Sequence, residues 1–278
     1  MPSVKREQLA AMNWHYKRFS LEYCLKALEK TGFSSIAFWA GPPHFQIDDS
    51  GYDDIPALAR QFREHHLKCI SFTACASHQM YQFGIYGKEH IRQACRYFTN
   101  GIHAASELEV PLMTVNAGNG FFNTPRANAW KRACELLCRV AEEGRRCGVT
   151  LTVESSRPQE TRTAVTLQDV KQLLNDVGHP NCKAMIDTTA MGASNETVWE
   201  WFETFGDDIR NLHFIDGEPM GHLAWGDGIL PLDDMLHCLN TYHYTGPICF
   251  EITHERYWRT PEKADAQTFK IMERYLED

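Results

Sequence analysis

Four short apolar runs end on a side chain that can bind a cation. "LTVESS", "AMIDTT", "NLHFID" and "ICFEIT" place Glu154, Asp187, His213 and Glu251 at these positions. Their separations of 33, 26 and 38 residues each lie close to one strand-plus-helix repeat of roughly 30 residues. In a closed barrel adjacent strands lie ~4.8 Å apart, so inward-pointing side chains at corresponding heights can surround one ion. Three carboxylates crowded in a barrel mouth repel one another and are driven toward protonation unless a cation neutralises them. The expected cofactor is therefore one divalent metal ion. An oxygen-rich set with one imidazole suits Mn²⁺ first and Mg²⁺ next, with Co²⁺ and Zn²⁺ compatible by ligand type.

A lone acid at a strand end is more often a cap or a loop anchor, and Asp187, followed by Thr188 and Thr189, could cap a helix locally. The recurrence of four such residues at one spacing is what favours ligation. Asp216, three residues after His213, breaks the strand alternation and is left out of the set.

The elements that must position these groups alternate along the chain. Candidate strands span Leu9–Trp14, Ser35–Trp39, Lys68–Thr73, Leu112–Asn116, Thr150–Glu154, Lys183–Asp187, Arg210–Phe214 and Pro247–Glu251. Amphipathic stretches fill the gaps, at Leu21–Lys30, Ile55–His66, Glu89–Leu108, Arg126–Cys147, Leu167–Val177, Val198–Phe205, Leu232–Tyr242 and Glu262–Leu276. Glycine follows several of them, at Gly32, Gly148, Gly178, Gly206 and Gly246, where a helix end favours a residue that tolerates positive φ. Eight strand-helix pairs in 278 residues predict an α/β fold, a single-domain (β/α)₈ TIM barrel over residues 1–278. Its active site is expected where the C-terminal strand ends and the following loops converge. An open doubly wound sheet would show a Gly-rich phosphate turn after the first strand, and Met12–Arg18 has none.

The 36 acidic against 28 basic residues give a formal net charge of −8, which argues against nucleic acid and anionic membrane as partners and favours a small molecule. Ten cysteines form no C-x-x-C pair and are expected as reduced, packed thiols. The N-terminus lacks an apolar signal core, and no run approaches the ~20 apolar residues that span a bilayer. A soluble, cytoplasmic protein is expected.

Trp14, His15, Phe38, Trp39, His44, Phe72 and His78 gather near the ends of the first three strands, where aromatic walls suit the faces of a sugar. Trp39 and His44 are the candidates for substrate contact. Asn116 could hydrogen-bond a hydroxyl or simply start the Gly118–Gly120 turn. His65, His66, His103, His237 and His243 fall in helical stretches and read as surface or packing residues. Cys134 and Cys138 are helical neighbours lacking a third soft ligand, hence packing residues.

The four-residue pattern, with the loop "HLAWGDGILPL" from His222 to Leu232, resembles the sugar isomerase/epimerase family of xylose-isomerase-like TIM barrels across nearly the whole chain. "WAGPPHF" and "SSRPQE" look similar to the branches that epimerise fructoselysine and, more distantly, free ketoses. The resemblance implies that Glu154, Asp187, His213 and Glu251 bind the metal and that Glu154 and Glu251 are the paired acid/base carboxylates. It places Glu160 near the substrate's first carbons and makes His222 a substrate contact; Arg157, in the same loop as Glu160, is a candidate to tune the site. Two positions depart from the ketose 3-epimerases: Ala190 stands for their histidine after the strand-six Asp, and Pro219 for their arginine. The implied activity is epimerisation or isomerisation of a ketose or ketosamine through a metal-stabilised enediolate, in a homodimer or homotetramer. A dehydratase using the same site and an endonuclease IV-type phosphodiesterase are the rival activities, the latter disfavoured by Ala190 and the negative charge.

Overall fold

A computed structural model of the chain describes residues 3–74, 81–218 and 220–277. Eight parallel strands close into a barrel: β1 (Leu9–Met12), β2 (Ser35–Ala40), β3 (Lys68–Ala74), β4 (Leu112–Asn116), β5 (Thr150–Glu154), β6 (Cys182–Asp187), β7 (Ile209–His213) and β10 (Ile248–Phe250). The order around the ring is β1-β10-β7-β6-β5-β4-β3-β2. The outer helices are α1 (Leu21–Thr31), α2 (Ile55–Glu64), α3 (Lys88–Glu107), α4 (Arg126–Cys147), α5 (Leu167–Val177), α7 (Val198–Phe205), α8 (Leu232–Thr241) and α9 (Pro261–Met272).

Local chemistry starts these helices where the chain must turn back on the barrel. Ser20, Asp54, Thr166 and Thr197 each accept a backbone N–H of the first turn, and Thr166 and Thr197 do so within reciprocal pairs with Asp169 and Glu200. Gly32, Gly148 and Gly178 end α1, α4 and α5 in the left-handed conformation. Gly246 does not play that part: α8 ends earlier, and His243 takes the positive φ instead. The expected final helix to Leu276 likewise stops at Met272, continuing as a short 3₁₀ turn.

Two elements lie outside the eightfold repeat. Helix α6 (Thr188–Ala193) begins directly on the last residue of β6, and a hairpin of β8 (Asp216–Glu218) and β9 (Met220–Leu223) follows β7. The expected first strand is also shorter, because Trp14 to Tyr16 turn into a 3₁₀ helix.

The outer faces of the strands pack on the helices in one large apolar core that includes Leu9, Phe38, Phe72, Leu151, Ile186, Trp201 and Phe250. Inside the barrel the side chains are smaller and partly polar. Asn211 donates to Ser71 Oγ and to Thr114 Oγ1, both at 2.9 Å, and accepts from the Cys249 thiol at 3.3 Å. Asn211 and Cys249 lie two residues before His213 and Glu251, so this bonded layer sits one step below the mouth and supports what stands on it.

Candidate active site

Strand register brings the four expected ligands together. Asp187 pairs with His213 across β6 and β7, and Glu154 closes β5 opposite Met185, two residues before Asp187 on the same inward-facing alternation. Glu251 follows the last residue of β10. One donor atom from each of Glu154, Asp187, His213 and Glu251 lies within 4.8 Å of the others. His213 Nδ1 is 2.5 Å from Glu154 Oε1, 3.2 Å from Glu251 Oε2 and 3.9 Å from Asp187 Oδ2. The other ring nitrogen, Nε2, is buried without a hydrogen-bond partner among the described residues, so Nδ1 is the atom His213 presents to the group.

Asp187 is both ligand candidate and cap. Its Oδ1 accepts from the Thr189 N–H, the Thr189 hydroxyl and the Ala190 N–H at 2.7–2.8 Å, starting α6. That leaves Oδ2 toward the centre. His222, on β9, stands above: Nε2 is 3.3 Å from Asp187 Oδ2, and Nδ1 is 3.1 Å from Glu251 Oε2. The second contact is within ion-pair range but off the line of a hydrogen bond.

The electrostatics follow from burial and crowding. Burial pushes the Glu154 carboxyl up to about 7 against the pull of His213. Burial acts the same way on Glu251, but His213 and His222 outweigh it and hold that carboxyl below its ordinary range. Burial opposes charge on both imidazoles, yet Glu251 and Glu154 raise His213 well above its ordinary value, and Asp187 with Glu251 raises His222 to about 9. The donor set of three carboxylates and one imidazole fits a single divalent cation in number, type and spacing.

Asp216, set aside from the sequence, is indeed used otherwise. It is 2 % exposed, and its two oxygens accept the N–H groups of Gly217, Gly226, Gly228 and Leu230 at 2.9–3.0 Å. It pins the loop that follows the β8–β9 hairpin carrying His222.

The four-ligand group opens into an inner pocket of ≈ 80 Å³ lined by Asn116, Glu154, Arg157, Glu160, Asp187, Ala190, His222 and Glu251 among others. Beyond it lies a cleft of ≈ 790 Å³ whose walls include Trp14, Lys17, Trp39, Asp48, Tyr81 and Arg157, within the size range of small-molecule sites. Arg157 and Glu160 bond to each other through two guanidinium nitrogens. Burial disfavours charge on both, but the pairing lowers Glu160 and, with Asp187 and Glu251, raises Arg157. Asn116 lines the pocket and also accepts the Gly118 N–H at 3.0 Å, the turn contact expected of it.

Trp39 reaches the cleft wall because Asn13 holds its backbone from both sides, accepting its N–H at 2.7 Å and donating to its carbonyl at 3.0 Å. Its ring lies over Gly41, where any Cβ would fall 2.3 Å from the indole. His44 is the residue that the structure does not bring in. Its Nδ1 meets Asn13 Nδ2 at 3.0 Å, its Nε2 meets the Phe19 carbonyl at 2.9 Å, and it is not among the cleft's lining residues. His15 is likewise buried, against Asp265. His78, Cys75 and Pro219 lie outside the described residues. Sequence reasoning missed Asn13, which acts through Trp39 26 residues on, and Lys17 and Asp48, which line the cleft.

A closed eight-stranded α/β barrel with a carboxylate-imidazole group at the C-terminal ends of its strands defines the class: a TIM barrel with a cluster of potential metal ligands at its mouth. A sequence profile of the xylose isomerase-like TIM barrel family matches residues 25–275, and the chain belongs to that family. Fructoselysine 3-epimerase from Shigella flexneri is 26 % identical over 237 residues, 83 % of this chain and 84 % of that protein. The crystal structure of D-psicose 3-epimerase with D-tagatose from Clostridium cellulolyticum H10 superposes with a TM-score of 0.78 at 16 % identity, covering 98 % of this chain and 100 % of that one. That of 3-keto-D-glucoside 4-epimerase from E. coli gives 0.77 at 14 % identity, with 96 % and 99 % covered. At these identities the structural likenesses speak for the fold alone.

Proposed function

We propose that the protein is a metal-dependent epimerase of a ketose or ketosamine, with Glu154 and Glu251 as the proton-transferring pair. The observation that carries this is the placing of two glutamates on either side of His213, both reaching the same small pocket. The relatedness to fructoselysine 3-epimerase supports the substrate class. Mn²⁺ is the ion proposed, held by Glu154, Asp187, His213 and Glu251; when bound it supplies electrostatic stabilisation for negative charge on the substrate's oxygens.

The chain's own groups do the rest. One glutamate removes the proton beside the carbonyl, and the other returns a proton to the opposite face, which inverts the carbon. His222, bridging Asp187 and Glu251, and the Arg157–Glu160 pair are proposed to orient the substrate's hydroxyls. Trp39 covers one side and excludes water. If proton return goes to the neighbouring carbon, the same groups yield aldose-ketose isomerisation.

The test is an NMR screen of ketoses and fructosamines in D₂O with Mn²⁺. Epimerisation predicts solvent deuterium at the inverted carbon with conserved product mass otherwise. A product lighter by water points to a dehydratase, and absence of exchange into any ketose or ketosamine overturns the proposal.

A further inference from the structure

A second cluster of potential ligands lies on the outer wall of the barrel. His103 on α3 faces Glu143 and Cys147, which are one helical turn apart on α4. His103 Nε2 is 2.9 Å from Glu143 Oε1, Cys147 Sγ is 3.8 Å from the same oxygen, and all three donor atoms lie within 4.8 Å of one another. We propose that His103, Glu143 and Cys147 form a peripheral binding site for a thiophilic divalent cation, Zn²⁺ above all.

Bond lengths make the case. With ligands at ~2.0–2.3 Å, a tetrahedral zinc ion sets nitrogen and oxygen donors about 3.4 Å apart and sulfur about 3.6 Å from either. The observed spacings bracket those values, so small side-chain rotations complete the site without backbone movement. The backbone is fixed independently: Ser106 Oγ donates to the Cys147 carbonyl at 2.9 Å, tying the ends of α3 and α4 together. Access is open, since the His103 side chain is 40 % and that of Glu143 28 % exposed, and the fourth coordination position falls to water. Arg146 lies 3.6 Å from Glu143 Oε2. It engages the oxygen that faces away from His103 and leaves Oε1 to the ion.

The site is chemically distinct from the barrel mouth. Thiolate and imidazole select a softer ion than three carboxylates do. Both helix ends lie at the end of the barrel where the next strands begin, opposite to the mouth, so an ion there cross-links α3 to α4 without touching the substrate.

Cobalt reports on this directly, because a Co²⁺–thiolate bond gives a charge-transfer band that carboxylate ligation lacks. Wild-type protein titrated with Co²⁺ should take up two equivalents per chain and develop that band with one of them. Cys147→Ser and His103→Ala should each lose one equivalent, and Cys147→Ser should lose the band, with turnover unchanged. Asp187→Asn, which alters the mouth, should keep the band. Excess Zn²⁺ should raise the melting temperature of Mn²⁺-loaded wild type by more than that of Cys147→Ser, since exchange at the mouth is common to both. Absence of the band at saturating Co²⁺, or its survival in Cys147→Ser, overturns the proposal.

Discussion

Asp187 and Ala190 are joined by a 2.7 Å hydrogen bond from the Ala190 N–H to Asp187 Oδ1, while Asp187 Oδ2 faces the His213 ring at 3.9 Å. One carboxylate thereby starts a helix and closes the ligand group. The two duties separate by mutation. Asparagine also caps helices well, so Asp187→Asn should keep most of the stability yet bind Mn²⁺ far more weakly. Asp187→Ala should lose both, with about 1 kcal/mol or more of additional destabilisation from the lost cap. Urea unfolding of the metal-free variants, beside metal content after dialysis, resolves the two effects. Equal stability of both variants would show that the cap contributes nothing.

The paired glutamates predict a shared kinetic loss. Glu154→Gln and Glu251→Gln should each lower kcat by roughly 10²–10⁴, measured with Mn²⁺ content verified for each variant. Near-native turnover in both, with metal bound, rules out the two-carboxylate proposal. An intact deuterium washout from one variant alone identifies which glutamate performs the first transfer.

Asp216 predicts the opposite pattern. Its four accepted N–H groups, that of Gly217 buried and those of Gly226, Gly228 and Leu230 part-buried, lose their acceptor in the alanine variant. Asp216→Ala should cost roughly 3 kcal/mol and disorder the His222 loop, while the metal stoichiometry at the mouth stays the same. Loss of mouth metal without loss of stability would make Asp216 a ligand after all.

A pH effect on stability is expected far from the mouth. His65 joins α2 to α1, with Nδ1 2.9 Å from Glu29 and Nε2 3.0 Å from Glu22; Lys26 also pairs with Glu22, and His66 approaches Glu29 at 3.9 Å. Burial opposes its charge, but the two carboxylates prevail and raise its pKa. The folded state therefore holds the proton more tightly than the unfolded chain, so the contribution is complete below the unfolded value of ~6.5 and disappears as pH rises through the higher folded value. His65→Gln should be less stable than wild type by about 1 kcal/mol at pH 6, with the gap closing in alkaline buffer. A gap independent of pH between 6 and 9 contradicts this.

The barrel and the gathering of Glu154, Asp187, His213 and Glu251 at its mouth were legible because both rest on repetition. Apolar runs recur with a fixed spacing, and Glu154, Asp187, His213 and Glu251 occupy the same place in successive repeats. Asp216 was separable from His213 by strand alternation alone. What breaks the repeat left little trace: α6 starts on the residue that ends β6, and the arms of the hairpin are three and four residues long, too short to show a period. His44 looked like a cleft residue because it follows Trp39 closely in a loop. Its fate is decided by Asn13, 31 residues earlier, and by the Phe19 carbonyl, contacts that no local pattern encodes. His222 was placed by family likeness, and only the hairpin explains how it arrives between Asp187 and Glu251.

The hydrogen bonds between Asn13 and the Trp39 backbone have a design consequence. They tie the aromatic wall to the first two strands, whereas the charged group is built on the fifth strand onward. On the proposed function, an aromatic wall carried by the first half of the ring thus faces proton-transferring groups and hydroxyl contacts carried by the second. Engineering or divergence can redraw the loops of the first half to admit a different appendage while the reactive half is inherited unaltered.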